Sequence, residues 1–556
     1  MDERYTVGQY LVDRLEQLGL RHLFSIAGDY SIDWLNEYVT PSRIEIIEEV
    51  NEVNAGYAAD GYARFKGIGA LCVTYSAGAL CAVNALAGAY VEKVPLVLIN
   101  GAPSTEKTIT FQQTGFSAHH FISGSETDLQ SFEHVTVATA RIDNPDLAPA
   151  LIDQALTRCV SERRPVYIEL LQDMVDLECE PPRGELKRAR TLSDPESLKQ
   201  SVARIGAELR NAKNPLIWIG PEIDRFGLQD KALELIHQLN VPFVTQLLSK
   251  AVLPEDDELF VGVFDGKASS TAVTDLVGNS DFTLALGVWL TDINSLGWQH
   301  DFATTAFASF DAVKFGTFFG GQVALEHLIE GLLAQQVAPR TPHLPEKPVQ
   351  RVPTVDSAGQ ITYQGFYDFI QKFVDENTIV GCDASMNYLG SLLLHVPAQG
   401  AFVAQSSYSA IGYAGPAATG ICLAKGSDQR VIVFSGDGGF QMTAQCLSTQ
   451  TRFHLDPIIF VIDNGVYGVE QWLADATVFT DNTPFYPSCV LHRWDYSKLA
   501  EVFDCHGWKA GTYGELEDAV TGALAGSGKP SIIQVVIPDK SIPDNGQWKA
   551  EAEDAR

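Results

Sequence analysis

A chain of 556 residues with net charge −31 and an isoelectric point near 4.7 repels polyanions, so neither nucleic acid nor an anionic membrane surface is expected as a partner. The length exceeds what one core serves, and three or four domains of ~150 residues are expected. Hydrophobic residues make up 46% and mean hydropathy is +0.00, as in a soluble globular protein. The nine cysteines stand singly without a C-x-x-C, an unpaired set that suits reduced thiols and a cytoplasmic address. MDERYTVGQY shows no signal-peptide pattern. The apolar stretch 67–100 is broken by Asn84, Glu92, Lys93 and Pro95, so it reads as core and not as a membrane span.

Taken in order, Thr6 opens a helix in which Val7, Leu11, Leu15 and Leu18 recur at helical spacing; Thr6 and Gln9 suggest a capping box, and Gly19 stops it. HLFSIAG, IEIIEEV, ALCVTYS, PLVLING and PVYIELL read as strands. Helices are expected from about Ser31, from about Asn54, across GALCAVNALAGAYVEK and within 147–161. This alternation implies an α/β fold with parallel, doubly wound sheets. The segment ECEPPRGELKRARTLSDPES at 178–197 has no period and marks a boundary, so the first domain spans 1–180. The second, 195–340, has βα units of its own in PLIWIG, a helix around 228–239, PFVTQ, FVGVFDG, FTLALGV and AFASFDAV. No G-x-G-x-x-G follows any of its strands, and it reads as a structural domain. A linker at 337–359 with five prolines leads to the third domain, 358–556. That domain resumes with TIVGCDAS, AFVAQSS, the small-residue helix IGYAGPAATGICLAKG and later PSIIQVVIP, and ends in WKAEAEDAR, expected as a short polar helix.

The run 430–472 carries the most chemistry. VIVFS ends at Gly436-Asp437-Gly438-Gly439 and PIIFVI ends at Asp463-Asn464-Gly465, so both carboxyl ends belong to the ligand-binding edge of an open sheet. The glycines let backbone approach phosphate oxygens, and a helix expected within 441–451 turns its N-terminus to an anion. One carboxylate, one amide oxygen and a loop carbonyl, completed by phosphate and water, suit Mg²⁺. A GDG alone is an ordinary strand-end turn.

Asn464, however, follows Asp437 by 27 positions, and this pairing resembles the diphosphate motif of thiamine-diphosphate (ThDP) enzymes. The string NEVNAGYAADGYAR from Asn51 resembles the signature of ThDP-dependent 2-keto acid decarboxylases. Ala27-Gly28-Asp29-Tyr30, His119-His120 and Tyr467-Gly468-Val469-Glu470-Gln471 resemble pieces of the pyruvate and indolepyruvate decarboxylase group. The resemblance implies three α/β domains: pyrimidine-binding, middle and diphosphate-binding. It implies ThDP and Mg²⁺ as cofactors, with Asp437, Asn464 and the carbonyl of Val466 as metal ligands. Gly436, Gly438, Gly439, Tyr467, Ser385, the backbone of Ser409 and the apolar Ile411 would line the cofactor. Glu52 would hydrogen-bond the aminopyrimidine and promote its proton exchange, and Asp29, His119, His120 and Glu470 would handle later protons. Glu52 and Asp437 lie in different domains, which by this resemblance meet between two subunits; a homodimer or homotetramer is implied.

The loop around His119 departs from the family's pattern, and Gln112-Gln113-Thr114 offers an alternative occupant of that position, as in acetohydroxyacid synthases. Val469 is smaller than the isoleucine often present in pyruvate-specific relatives, and one methylene changes discrimination by about 1–3 kcal/mol. The expected substrate is therefore a 2-keto acid larger than pyruvate: aromatic, branched-chain or long aliphatic. The alternatives are a ThDP carboligase and a catalytically silent protein on the same fold.

Overall fold

The computed structural model describes residues 4–124, 126–186, 191–297, 302–335, 339–345 and 355–549. The linker expected at 337–359 and the terminal helix expected from 548 lie partly outside the described residues, as do 187–190 of the first linker. Three sheets organise the chain. In the N-terminal one, six parallel strands stand in the spatial order Glu45–Glu48, His22–Ser25, Gly69–Thr74, Leu96–Ala102, Val166–Leu171, Ala138–Ile142. The C-terminal sheet repeats that topology with Phe402–Ala404, Thr378–Cys382, Arg430–Gly436, Ile458–Asp463, Ser531–Val536, His506–Ala510.

Numbered within its own unit, each of these sheets runs 2-1-3-4-6-5. The order reverses between the first and third strands, and that switch point is where a crevice opens at the carboxyl edge. In the N-terminal unit the loops there begin after Ser25 and Thr74; in the C-terminal unit they carry Asp383 and Asp437.

The middle sheet differs. Its strands Phe260–Val263, Phe243–Thr245, Pro215–Ile219, Phe282–Leu286 and Thr305–Ser309 are parallel in the order 3-2-1-4-5. Two antiparallel strands, Ala312–Phe315 and Phe318–Gly321, then close its edge. The single strand expected over AFASFDAV is therefore broken: the chain reverses at residues 310 and 311, so that Ser309 pairs with Ala312. Apolar residues on both sides of this two-residue turn hide it from hydrophobic patterning.

Four further local expectations need correction. Thr6 does cap Val7–Gln17, accepting from the Gln9 N–H at 3.3 Å, but the Gln9 amide donates to Asp13 at 2.7 Å and completes no capping box. The helix expected from Asn54 begins at Glu52, with Asn51 as its cap. The helix expected within 441–451 is two pieces, Asp437–Thr443 and Cys446–Arg452, so helical backbone starts at Asp437 itself. The small-residue helix starts at Ala414, leaving Ile411 in a loop. The edge strands Ala138–Ile142 and His506–Ala510, with alternating or partial burial, were not anticipated.

The two small-residue helices, Glu52–Lys66 and Ala414–Lys425, pack on each other across the boundary between the outer domains. A Cβ on Gly61 would lie 2.3 Å from the Ala417 carbonyl oxygen, and one on Gly420 would lie 1.8 Å from that of Ala58. Small residues are needed on both because the backbones touch. Buried polar groups fix the same junction: Thr449 donates to Glu49 at 2.8 Å, Asn54 donates to the Thr443 carbonyl at 3.4 Å, and Tyr413 donates to Asp60 at 2.5 Å.

Candidate active site

The strand Arg430–Gly436 delivers Asp437 to the carboxyl edge as the first residue of a helix capped by Gly436. The Asp437 carboxylate accepts from the N–H of Gly438 at 2.8 Å and from that of Gly465 at 2.7 Å. These bonds tie the end of one strand to the loop after Ile458–Asp463, where Asn464 and Val466 follow. Burial lifts the Asp437 carboxyl to about 7; the two N–H groups pull it down, and neighbouring Asp463 pushes it up. Asp437 is 3% exposed, and each of its oxygens keeps a lone pair beyond its one hydrogen bond. A buried carboxylate with spare acceptors beside an amide oxygen and a carbonyl is a hard-oxygen set of the kind that suits a divalent cation such as Mg²⁺.

Around this set lies a cavity of about 230 Å³, lined by Ser385, Ile411, Gly436, Asp437, Gly438, Gly439, Asn464, Val466, Tyr467, Val469 and Glu470 among others. Glycine leaves room for neighbouring side chains at two of these positions: a Cβ on Gly438 would meet the Tyr467 ring at 2.3 Å, and one on Gly439 the Asp383 carboxylate at 2.7 Å. Every residue lining the cavity comes from the C-terminal domain.

A buried carboxylate that the resemblance places beside the diphosphate, at the end of a strand, but to which it gives no role of its own, organises one wall. Asp383, 1% exposed, accepts from the Gly412 N–H at 2.9 Å, the Tyr413 N–H at 3.0 Å and the Ser435 hydroxyl at 2.8 Å. Burial raises it to about 6 against those three donors. It thereby ties the loop bearing Ser409 and Ile411 to the central strand. The far end of that loop is held by the N-terminal domain, where Glu92 accepts from the N–H groups of Ser407 at 2.7 Å and Tyr408 at 3.3 Å. Between the anchors Ser409 adopts a left-handed φ of 57°. Ser409 itself does not line the cavity. Strand-end position was the available signal for Asp383; nothing local pointed to Glu92, which lies more than 300 residues from its partners.

The remaining candidates gather at the switch point of the N-terminal sheet. The His119 Nε2 lies 2.5 Å from the Asp29 carboxylate, and the His119 and His120 ring centroids are 4.9 Å apart. Burial pushes the Asp29 carboxyl up, but the hydrogen bond and charge of His119 outweigh it and hold the group below the ordinary carboxylate range. Thr74, ending its strand, donates to Asp29 at 3.4 Å. Glu52, first residue of its helix, lies on the same edge: a Cβ on Gly78 would sit 3.1 Å from its Oε1 and 3.0 Å from the Thr74 carbonyl. Gln112 and Gln113 are exposed on the helix Thr105–Thr114. The structure thus forms two half-sites on separate sheets, and Glu52, Asp29, His119 and His120 do not reach the C-terminal cavity of their own chain.

Comparison with known proteins decides the family. The chain matches the N-terminal TPP binding domain of thiamine pyrophosphate enzymes over 5–121, their central domain over 202–324 and their C-terminal TPP binding domain over 383–535. It is 31% identical to an alpha-keto-acid decarboxylase of Mycobacterium avium over 97% of this chain and 95% of that protein. The chain belongs to the ThDP-dependent 2-keto acid decarboxylases. The decarboxylase is also 29% identical to a pyruvate decarboxylase of Neurospora crassa, over 96% of this chain and 93% of that protein. Its fold matches a Mycobacterium smegmatis chain described as a thiamin diphosphate-dependent enzyme, with TM-score 0.78 at 22% identity and coverage of 96% and 100%. It is a carboxy-lyase that uses ThDP. The glycine-floored cavity beside Asp437 fits the cofactor's diphosphate end, since glycine backbone there borders a hard-oxygen set.

Proposed function

We propose that the decarboxylase converts a 2-keto acid larger than pyruvate to an aldehyde and CO₂ in an active site completed by a second copy of the chain. The observation that carries this reading is the separation of the half-sites: the cavity holds the diphosphate set, whereas the carboxylates and histidines for proton work stand on another sheet edge. A two-fold partner presenting its N-terminal edge joins them, which makes a homodimer the least active unit and a homotetramer a pair of such dimers.

In this reading Asp437, Asn464 and the Val466 carbonyl would hold Mg²⁺, and Gly436, Gly438, Gly439, Ser385 and Tyr467 would line the place of the diphosphate. Bound ThDP supplies a carbon nucleophile and an electron sink. Glu52 would hold and exchange a proton at the bound group's aminopyrimidine. Ile411, on the cavity wall, would support the cofactor, and the Ser409 backbone would offer its polar groups to the cofactor's amino group. Asp29, hydrogen-bonded to His119, fixes that imidazole's orientation; together with His120 and Glu470 it delivers and removes protons as CO₂ leaves and aldehyde forms. The meeting of His119 with Asp29 favours this relay over one built on Gln112 or Gln113, and hence decarboxylation over carboligation.

Val469, half-buried on the cavity wall, supports the larger substrate because it leaves room a longer side chain fills. The nine cysteines are all free, seven of them buried, which supports a reducing, cytoplasmic setting. Among the described residues no helix is long and apolar enough to cross a membrane. A panel of aromatic, branched-chain and linear 2-keto acids assayed with ThDP and Mg²⁺ tests the substrate class: kcat/KM is expected to favour the larger acids, and equal or better turnover of pyruvate ends that part.

A further inference from the structure

Asp29, His119 and His120 present one carboxylate oxygen and two imidazole nitrogens whose mutual separations are all within 4.8 Å. We propose that these three side chains form a second divalent-cation site, selective for borderline transition ions such as Zn²⁺ or Co²⁺ and separate from the hard-oxygen set at Asp437. Two histidines and a carboxylate on one face are a recurrent ligand set for such ions, whereas Mg²⁺ takes oxygen ligands.

Backbone geometry is what makes the set possible. Successive side chains of an extended segment point to opposite sides, but His120 has a left-handed φ of 70°. Its ring is thereby turned back until its centroid is 4.9 Å from that of His119. Orienting partners stand behind two of the ligands, as metal sites require. The Tyr30 hydroxyl lies 3.3 Å from His119 Nδ1, and the Tyr30 ring stacks on the imidazole at 4.8 Å, which leaves Nε2 aimed outward at Asp29. Thr74 donates to the Asp29 oxygen that does not face His119.

Tetrahedral ligation at about 2.0–2.1 Å needs ligand atoms about 3.3 Å apart. The 2.5 Å contact between His119 and Asp29 opens by a fraction of an ångström when an ion replaces the shared proton, and His120 closes in. The side chains of His119 and Asp29 are 57% and 51% exposed in the single chain, and in the joined site they stand where substrate must enter, so an ion and a completing water reach them by the same path. Occupancy withdraws both imidazoles and the carboxylate from proton transfer, making the ion an inhibitor. That consequence rests on the roles assigned above; the binding itself does not.

The test measures binding and not turnover. Zn²⁺ is titrated calorimetrically into the full chain loaded with ThDP and excess Mg²⁺, and Co²⁺ is followed by visible absorption, which reports imidazole ligation at low coordination number. One ion per chain is expected. Affinity falls at least roughly tenfold, the loss that accompanies removal of a ligand or its support, in His120→Ala and in Asp29→Asn, with unfolding temperature unchanged in both. Cys81→Ser, which removes the exposed thiol, is expected to bind as the parent does. Equal Zn²⁺ affinity in parent and His120→Ala, no measurable binding, or binding abolished by Cys81→Ser each overturns the proposal.

Discussion

At the scale of single residues, the decarboxylase uses position at an element's end to set chemistry. Glu52 occupies the first turn of its helix, where the N-terminal partial charge favours a carboxylate, and Gly78 leaves it room that any side chain would take. Glu52→Gln keeps the shape and the helix start but cannot exchange a proton. It is expected to retain ThDP and Mg²⁺ while kcat falls roughly 10²-fold or more; wild-type kcat in this variant would remove Glu52 from the mechanism. Asp437→Ala acts differently, because it deletes both the proposed metal ligand and the acceptor for two backbone N–H groups. Its expected defect is failure to retain Mg²⁺ and ThDP on gel filtration.

At the scale of elements, what matters is how helices and loops from different domains fix one another. Gly420 sits where its helix touches the backbone of Glu52–Lys66. Gly420→Ala forces those helices apart and is expected to lower stability by at least about 1–3 kcal/mol, the usual cost of overpacking, read as a lower denaturant midpoint; an unchanged midpoint would mean the contact relaxes freely. The interface also carries a titration. Burial raises Glu49 to about 7, against its hydrogen bond from Thr449, while an unfolded chain leaves a glutamate near 4.3. Between those values the folded state binds more protons than the unfolded one, so Glu49's contribution to stability is full at low pH and is lost as pH rises through about 7. Glu49→Gln removes that loss. The unfolding temperature of the variant relative to the parent is expected to rise from pH 5 to about pH 7 and to level off above it, and parallel curves between pH 5 and pH 7 would show that Glu49 does not titrate there.

At the scale of the whole molecule, a chain with two matching 2-1-3-4-6-5 sheets carries one half of the proposed site on each, and the proposed function has a second copy join them. A direct check follows: Glu52→Gln and Asp437→Ala chains, each inactive alone, are dissociated, mixed and reassociated. In a mixed dimer one site receives both substitutions and the other neither. Equimolar random mixing across a two-fold interface should therefore restore about a quarter of parental activity. No recovery, with mixed dimers demonstrated by mass, would place both residues in a site made by one chain.

Much of this is legible in the sequence. The apolar runs marked most parallel strands because strands covered on both faces are nearly continuous in Val, Ile and Leu, and the spacing of Asp437 and Asn464 survived as a shared cavity wall because both lie immediately after adjacent strands. Edge strands such as His506–Ala510 were missed because half of each faces solvent and the pattern fades. The hairpin after Ser309 escapes the pattern because its two-residue turn, Phe310-Asp311, is flanked by apolar residues on both sides. Local order and chemical inventory are encoded along the chain, in periodicity and motif. Which carboxylate holds a loop, which small-residue helix meets which, and the parting of the two half-sites depend on contacts between residues hundreds of positions apart, and only packing in three dimensions decided them.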